Sequence, residues 1–438
     1  MIDIKYLREH TQEVRDNLSK RKKPEILEMF DELVEKDKQE REMKINLDKS
    51  RKRRNDISKE INEKKKNKEN IDELLKEVKE LPEKIKHKEE EYNNLTERIK
   101  ELRLRIPNIL HKSVPYGESE EDNVVIKKWG KPRKKEDWML PHADLVSMFD
   151  LVDTDKASEI SASRFYFLKN DFVLLEQALL RYALDKMIKK GFNPINPPYM
   201  VRKEVIQGAT DAYKFGDDIY KIEGEDLYLI ATAEHGIIAY HRNEVLQEEE
   251  LPIKYVGMTP CFRKEAGTHG KDTKGIFRTH QFNKVEMVIF CKPENSWKIH
   301  EELLKINEVI LQELELPYRI INTCTGELGV VHAKLYDFEA WFPVQEKYRE
   351  LGSCTNALSY QAVRSNIKYK KENQDKENQD KYGKDKKERE YVHILNDTVI
   401  AAGRTMCAII ENNQEKEGII RIPKILVPYM NGKTEIKA

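Results

Sequence analysis

Residues 261–286 read CFRKEAGTHGKDTKGIFRTHQFNKVE, in which two charged arms enclose a polar centre containing glycine. Glycine bends readily, and the polar residues between the arms could not fill a core. The flanking segments KYVGMTPCF and FNKVEMVIF have the apolar alternation of half-buried strands. The stretch therefore predicts two strands that fold back on each other through a polar loop.

Alternation places charged side chains on one face of this predicted hairpin. Arg263 and Glu265 share a face of the first strand, and Phe282, Lys284 and Glu286 share a face of the second. Cross-strand pairs of Arg and Glu are common on solvated sheets, so a single pair indicates no site. A face that carries several cations, several carboxylates and an aromatic ring is harder to explain in that way.

Length and charge limit the classes of protein that this chain can belong to. Its 438 residues predict two to three domains at about 100 to 200 residues each. Lys plus Arg and Asp plus Glu each number 79, so any contact with nucleic acid must come from local basic patches. No segment approaches the roughly 18 consecutive apolar residues of a membrane span, and MIDIKYLREH does not resemble a signal peptide. These features predict a cytoplasmic protein that does not contact membranes.

The cysteines are odd in number, widely spaced and without a CxxC pair. They are Cys261, Cys291, Cys324, Cys354 and Cys407. We expect reduced, buried thiols. The alternative, a zinc site built from scattered cysteines with His269 or His280, has no support in their spacing.

A heptad repeat marks the N-terminal part of the chain. Apolar residues recur every seven positions at Ile71, Val78, Ile85, Tyr92, Ile99 and Ile106, with leucines between them at 74, 81, 95 and 102. This pattern predicts a coiled-coil helix about 50 Å long at 1.5 Å per residue. Met43, Leu47, Ile57 and Ile61 supply an upstream partner helix, and the polar residues 64–70 supply the turn. The sequence therefore predicts an antiparallel helical hairpin, with a kink at Pro82.

The tip of the predicted hairpin is basic. Residues 50–70 carry nine Lys or Arg against four Asp or Glu. The candidate contacts with nucleic acid are Arg51, Lys52, Arg53, Arg54 and Lys59. A charged helix face is usually only solvated, but a rigid projecting rod with surplus positive charge at its end suits phosphate contacts.

A linker rich in Pro, Gly and Asn at 106–123 separates the hairpin from a segment of different composition. Beyond it, amphipathic runs such as 174–191 alternate with aromatic and β-branched segments, which predicts an α+β domain. We divide the chain into a helical arm, residues 1–112, and a second domain, residues 113–438. Within the second domain, a tandem KENQD repeat predicts a mobile charged insertion at 367–390.

Several separate stretches resemble the signature motifs of one enzyme family. NPINPPYMV (193–201) resembles its motif 1, FRKE (262–265) and FRTHQFNKVE (277–286) its motif 2, and AAGRTMCAIIEN (401–412) its motif 3. IATAEH (230–235), YRELGSCTN (348–356) and PYMNG (428–432) are also similar to that family. Behind a helical hairpin and in this order, they resemble a seryl-tRNA synthetase of the common, non-methanogen type over nearly the whole chain.

The resemblance implies a fold, a reaction and partners. The fold would be α+β, with a class II synthetase antiparallel sheet flanked by helices and preceded by an antiparallel coiled-coil arm that binds tRNA. The enzyme would be a homodimer joined through motif 1. It would use ATP and Mg²⁺ to convert L-serine to seryl-adenylate and transfer the seryl group to the 3′ end of tRNA-Ser. Whether tRNA-Sec is also charged stays open.

The resemblance also implies roles for the residues that would bind ATP. Arg263 would hold the α-phosphate, and Arg278 and Arg404 the outer phosphates, so these three are the catalytic candidates. Planar guanidinium groups suit phosphate because they bind it through two parallel hydrogen bonds. The remaining ATP contacts would be Glu265 at the adenine amino group, Phe282 stacked on the ring, and Glu350 and Ser353 as oxygen ligands of Mg²⁺.

The implied serine site is small and polar. Its members would be Thr232, Glu234, Arg263, Glu286 and Thr398, with Glu286 and Thr232 at the ammonium group and Thr398 at the hydroxyl. A site that hydrogen-bonds a substrate hydroxyl rejects analogues that lack it, because its own polar groups are then left unpaired. Asp397 departs from the family pattern, which often has a small or amide residue there.

Two other functions are compatible with parts of the sequence. A synthetase-like ligase that loads a carrier protein would share the motifs but lack the long arm. A non-catalytic tRNA-binding protein with a decayed core would have lost motif arginines, yet Arg404 stands in the apolar run IAAGRTMCAII. An arginine in such a run is costly unless it is paired, which favours a functional role.

Overall fold

The computed structural model describes residues 1–211, 218–266, 274–371 and 388–437. Most of the predicted insertion at 367–390, and the loop residue His269, lie outside the described residues. The described chain divides into two compact units, one of residues 2–107 and one of Met1 with residues 108–438. Each unit is described by itself below.

The first unit is a long helical hairpin with two short helices before it. Its helices are α1 (Ile4–Glu9), α2 (Thr11–Ser19), α3 (Pro24–Lys66) and α4 (Asp72–Arg105). Ion pairs show that α3 and α4 are antiparallel, because Glu32 near the start of α3 binds Arg98 near the end of α4 at 2.7 Å. At the other end of the hairpin, Arg53 binds Glu77 at 2.9 Å. The predicted antiparallel coiled-coil arm is confirmed.

Helix α3, the partner of α4, extends upstream of the residues predicted for it. It begins at Pro24, where a proline is tolerated because the first helical N–H has no intrahelical partner. Its buried side chains therefore include Phe30 and Leu33, well upstream of Met43. Helix α4 continues through Pro82, so the kink expected there stays a prediction.

The second unit contains the remaining helices and the strands. The helices are α5 (His142–Met148), α6 (Thr154–Ile160), α7 (Asn170–Lys189), α8 (Lys203–Ala209), α9 (Glu234–Tyr240), α10 (Ser296–Glu313), α11 (Tyr360–Ser365) and α12 (Ala402–Asn413). The strands in the first half are β1 (Val124–Trp129), β2 (Val152–Asp153), β3 (Phe167–Leu168), β4 (Asn193–Ile195), β5 (Met200–Val201), β6 (Tyr228–Leu229), β7 (Val245–Gln247), β8 (Ile253–Phe262) and β9 (Gln281–Cys291). Those in the second half are β10 (Tyr318–Asn322), β11 (Lys334–Phe342), β12 (Lys347–Asn356), β13 (Lys368–Lys370), β14 (Arg389–Tyr391), β15 (His393–Ala401), β16 (Gln414–Glu415), β17 (Ile419–Arg421) and β18 (Glu435–Lys437).

An eight-stranded sheet organises this unit. Its strand order is β1-β10-β11-β12-β15-β9-β8-β4, and the pairs are antiparallel except for the parallel pair β4–β8 at one edge. Helices α7, α10 and α12 pack against the central strands. The predicted antiparallel sheet flanked by helices is confirmed.

Alternate side chains of strand β9 project from opposite faces of the sheet. Val285, Met287 and Ile289 enter the main hydrophobic core, which also holds side chains of α7, α10 and α12. The intervening residues Val288 and Phe290 enter a second apolar cluster on the opposite face. Phe282, Lys284 and Glu286 share the parity of that second face, as the sequence predicts.

The five cysteines are free and buried, which confirms the prediction of reduced, buried thiols. Within the described residues, His, Cys, Asp and Glu form no group of three or more that could hold a metal ion, so the zinc alternative gains no support. In the described part of the chain, no helix is both long and apolar enough to cross a membrane.

Candidate active site

A cavity of about 310 Å³ lies over the centre of the large sheet. The residues predicted to bind ATP or serine all line it, and they are Thr232, Glu234, Arg263, Glu265, Arg278, Phe282, Glu286, Glu350, Ser353, Thr398 and Arg404. The five predicted tRNA contacts lie in the first unit, on α3. The fold therefore brings together residues that are separated by up to 172 positions in the chain.

Strand pairing places the polar side chains of the cavity floor. Glu286 on β9 lies opposite Gly257 on β8 and opposite Thr398 on β15. Directly opposed residues of antiparallel strands project from the same face. Glu286 and Thr398 therefore project to the same side of the sheet, beneath the same cavity.

Two glycines allow the segments around the cavity to pack closely. A Cβ at Gly352 would lie 2.8 Å from Cβ and Cγ2 of Thr398, and a Cβ at Gly403 would lie 2.8 Å from the carbonyl oxygen of Ile276. Such contacts are closer than van der Waals packing permits. Glycine at these positions lets β12 approach Thr398 and lets the start of α12 approach the returning arm of the 261–286 hairpin.

The three arginines of the cavity have different partners. The guanidinium carbon of Arg263 lies 5.3 Å from the ring centroid of Phe282, in cation–π geometry. Arg278 donates to Glu265 at 2.9 Å. Arg404 lies 3.2 Å from the Glu350 carboxylate and donates to the Glu350 backbone carbonyl at 3.3 Å.

The carboxyl groups around Glu350 have pKa values shifted in opposite directions. The positive charge of Arg404 is the main cause that holds the pKa of Glu350 below its usual value. Asp337, on the neighbouring strand β11 and opposite Ser353, has its pKa raised well above normal by burial and then by the charge of Glu350. Glu350 thus loses its proton more readily than a solvated glutamate, and Asp337 less readily than a solvated aspartate.

A buried polar cluster occupies the other end of the cavity. The Lys284 ammonium group donates to Glu286 Oε1 at 2.7 Å and to Thr232 Oγ1 at 3.0 Å. Thr232 in turn donates its hydroxyl hydrogen to Glu286 Oε2. Burial, followed by the charge of Glu286, raises the pKa of Glu234 to about 8.

Both parts of the chain match described protein families. Residues 1–110 match the seryl-tRNA synthetase N-terminal domain, and residues 213–413 match the class II core domain of the tRNA synthetases for G, H, P, S and T. A serine–tRNA ligase of Methanocella arvoryzae is 45% identical over 432 residues, covering 99% of each chain. The chain belongs to the seryl-tRNA synthetase family.

Solved structures of seryl-tRNA synthetases have the same fold. The Pyrococcus horikoshii seryl-tRNA synthetase complexed with ATP is 44% identical, has a TM-score of 0.91, and is matched over 100% of this chain and 99% of that chain. The cytoplasmic serine–tRNA ligase of Naegleria fowleri in complex with AMP is 36% identical, with a TM-score of 0.82 and coverage of 97% and 95%. The likeness to these seryl-tRNA synthetases therefore includes both the arm and the sheet.

Sequence reasoning missed some polar residues in and beneath the cavity of this synthetase. Alternation predicts the face on which Lys284 lies but not its role, although its position two residues before Glu286 indicates that both side chains project the same way. The sequence does not single out Asp337, because nothing in the segment LYDFEAWF distinguishes it from a solvated carboxylate. Its burial depends on the pairing of β11 with β12, which local sequence does not reveal.

Asp397, the departure from the synthetase family pattern, lies beneath the cavity floor on the core face of β15. It is opposite Met287 and Cys354 and is fully buried. Asn307 on α10 donates to one carboxylate oxygen at 2.5 Å, while the other oxygen has no partner among the described residues. Burial raises the pKa of Asp397 well above its usual value.

We predict that Asp397→Asn makes this synthetase more stable at neutral pH. A carboxyl group with a raised native-state pKa stabilises the fold when it is protonated, so its contribution is lost as pH rises above the unfolded-state pKa of about 3.9. An amide keeps the acceptor for Asn307 and cannot ionise. The difference in Tm between variant and wild type should therefore increase from pH 4 to pH 7.

The control for this measurement is Asp155→Asn, which makes the same replacement of a carboxyl group by an amide at an exposed position on α6. Thermal unfolding of both variants should be followed across that pH range. A difference in Tm for Asp397→Asn that is constant or decreases with rising pH would contradict the prediction.

Proposed function

We propose that this chain is a serine–tRNA ligase, which activates serine with ATP to seryl-adenylate and transfers the seryl group to the 3′ end of tRNA-Ser. The observation that carries the proposal is the convergence of three arginines and a polar cluster in one cavity, in a chain 45% identical to a serine–tRNA ligase. The Pyrococcus horikoshii relative, complexed with ATP, supports the choice of nucleotide.

The arginines account for the activation step. Attack of the serine carboxylate on the α-phosphate of ATP concentrates negative charge and releases pyrophosphate, so catalysis depends on positioning and on electrostatic stabilisation. Arg263 would hold the α-phosphate, and Arg278 and Arg404 the outer phosphates. Arg404 lies in the first turn of α12, and a helix N-terminus also favours anions.

The adenine ring would lie on the surface next to Arg263. Phe282 presents a ring that already packs against that guanidinium group, so an adenine stacked there would be held between an aromatic face and a cation. Glu265 would accept a hydrogen bond from the adenine amino group. Arg278, on the returning arm of the 261–286 hairpin, contacts this carboxylate and orients it.

The residues around Glu350 fit a Mg²⁺ ion. Mg²⁺ prefers oxygen ligands and is usually held by one or two protein groups together with substrate phosphates. Glu350 supplies a carboxylate with a lowered pKa, and Ser353 supplies a hydroxyl on the same strand. When bound, the ion would neutralise charge on the phosphates.

The buried cluster offers polar partners for the groups of serine. Glu286 and Thr232 offer acceptors for the ammonium group, and Thr398 offers a hydroxyl beside the place of the serine side chain. Arg263 would contact the carboxylate that attacks phosphorus. Glu234 contributes a second acid group to the same cavity.

The tip of the arm would bind tRNA phosphates, but its basic residues are not equivalent. Arg51 pairs with Glu89 at 2.8 Å, and Arg53 pairs with Glu77 and Glu60, so both also join the helices of the hairpin. Lys52, Arg54 and Lys59 are exposed, and within the described residues they have no ion-pair partner. We therefore expect these three to contribute most of the phosphate contacts.

The finer parts of the proposal are the homodimer, the cytoplasmic location and the type of seryl-tRNA synthetase. Exposed apolar side chains near the edge strand β4, among them Tyr199, Met200 and Met258, support a homodimer that covers this edge. A cytoplasmic location and the common, non-methanogen type remain part of the proposal.

The two alternative functions fit less well. A ligase for a carrier protein would not need the arm, and residues 1–110 match the N-terminal domain of seryl-tRNA synthetases. A decayed core would not keep Arg263, Arg278, Arg404 and Glu350 around one cavity.

We predict that Arg404→Ala lowers kcat for serine-dependent ATP/pyrophosphate exchange by about 10²–10³-fold, because one preorganised contact to the developing charge is lost. Arg404→Lys should recover part of this loss, since it restores the charge without the planar fork. The control is Arg421→Ala, which removes an arginine that pairs with Glu415 and Glu435 outside the cavity. Activity of Arg404→Ala within twofold of wild type would exclude Arg404 from the reaction.

We also predict that the double variant Lys52→Ala/Lys59→Ala raises KM for tRNA about tenfold and lessens its salt dependence, because phosphate contacts are removed. Serine-dependent exchange should not change. The matched control is Lys38→Ala/Lys44→Ala, which removes two exposed lysines from the same helix nearer its start. Equal effects of the two double variants on tRNA charging would contradict a role specific to the tip.

A further inference from the structure

The most unusual contact in the cavity is made by a lysine. Lys284 and Glu286 alternate along β9, and their side chains are 7% and 3% exposed. The Lys284 ammonium group binds two acceptors at once, Glu286 Oε1 at 2.7 Å and Thr232 Oγ1 at 3.0 Å. Burial of a lysine requires such pairing, since an unpaired buried charge is very costly.

The same two side chains are the acceptors proposed above for the serine ammonium group. A lysine side chain and the α-amino group of an amino acid both end in –NH₃⁺, with three donors and one positive charge. Two such groups cannot occupy the same position between Glu286 and Thr232. Serine binding in the proposed pose therefore requires Lys284 to give up these contacts.

We propose that Lys284 is a placeholder: its ammonium group occupies the substrate's ammonium position when the pocket is empty and withdraws when serine binds. This inference rests on the proposed function and specifies how its amino-acid pocket works. Lys284 is thus a specificity-determining residue. The substrate amino group contributes to the binding free energy only the difference between its own contacts and the Lys284 contacts that it displaces.

The cluster contains a second carboxyl group that can receive the displaced lysine. Glu234 is partly buried and lines the same cavity, and desolvation together with the charge of Glu286 raises its pKa to about 8. Movement of Lys284 toward Glu234 would form an ion pair there and release the proton from Glu234. The two carboxylates would then face two ammonium groups, one from the protein and one from serine, so no buried charge would be left unpaired.

The placeholder also explains how the empty pocket tolerates its charges. Without a cation, Glu286 would be a buried carboxylate whose interaction with Thr232 alone could not offset its desolvation. A resident ammonium group keeps the carboxylate in position for the substrate. In energetic terms, the pocket exchanges one buried ion pair for another when serine enters, as preorganised polar sites do.

The test compares two adenylate analogues that differ only in the amino group. One is 5′-O-(N-seryl-sulfamoyl)adenosine, and the other is its des-amino counterpart, which carries a 3-hydroxypropanoyl group. Equilibrium Kd values for both are measured with the full chain. The Kd of the des-amino analogue divided by the Kd of the seryl analogue reports the selectivity for the amino group. In Lys284→Met nothing needs to be displaced, so we expect this ratio to increase by about tenfold or more, equivalent to about 1.4 kcal/mol.

Two further variants keep the test decisive. Lys284→Arg retains the charge, and its fork holds carboxylates more firmly, so its ratio should lie at or below the wild-type ratio even if Lys284→Met fails to fold. Lys292→Met is the control, because Lys292 directly follows β9 and pairs with Glu248 at 2.9 Å outside the cavity. Its ratio should equal that of wild type.

Each outcome has a definite meaning. A ratio that decreases in Lys284→Met would show that Lys284 helps to bind the amino group, and an unchanged ratio with both affinities lowered would show a purely structural role. A ratio for Lys284→Arg well above wild type would also contradict the placeholder. Failure of the wild-type chain to bind the seryl analogue at all would instead contradict the proposed function.

Discussion

The pairing register of the adjacent strands β8, β9 and β15 is the constraint on which the cavity depends. Glu286 lies opposite Gly257 on one side and opposite Thr398 on the other. A shift of one residue in β9 would turn Lys284 and Glu286 into the hydrophobic core and expose Val285 and Met287 in their place. The burial of the apolar face thus fixes the position of the polar face, and the stability of the sheet is linked to the geometry of the site.

The second constraint is charge balance in a desolvated space. The cavity brings several ionisable groups close together, and the structure pairs them: Arg278 with Glu265, Arg404 with Glu350, and the buried Lys284 with Glu286. These pairs occupy groups that the substrates would need. Binding of ATP and serine would therefore exchange internal partners for substrate partners, which keeps the side chains positioned and limits the reorganisation required during the reaction.

Some features could be predicted from the sequence because they are periodic. The heptads of α4 and the alternation of β9 identified the hairpin and the polar face of the sheet without any structural information. The remaining features depend on contacts between segments far apart in the chain. The start of α3 at Pro24, the burial of Asp337 opposite Ser353, and the contacts of Lys284 with Thr232 are consequences of packing. The motifs predict which residues line the cavity, but only the fold shows which of these residues contact each other.

The central claim is that this cavity activates serine for transfer to tRNA. The most direct measurement is ATP/pyrophosphate exchange with serine, threonine, alanine and glycine in parallel, followed by charging of total tRNA with labelled serine. The account predicts exchange with serine alone among the four, together with formation of seryl-tRNA. Exchange without charging would favour a ligase for a carrier protein, and an absence of exchange with serine would contradict the account.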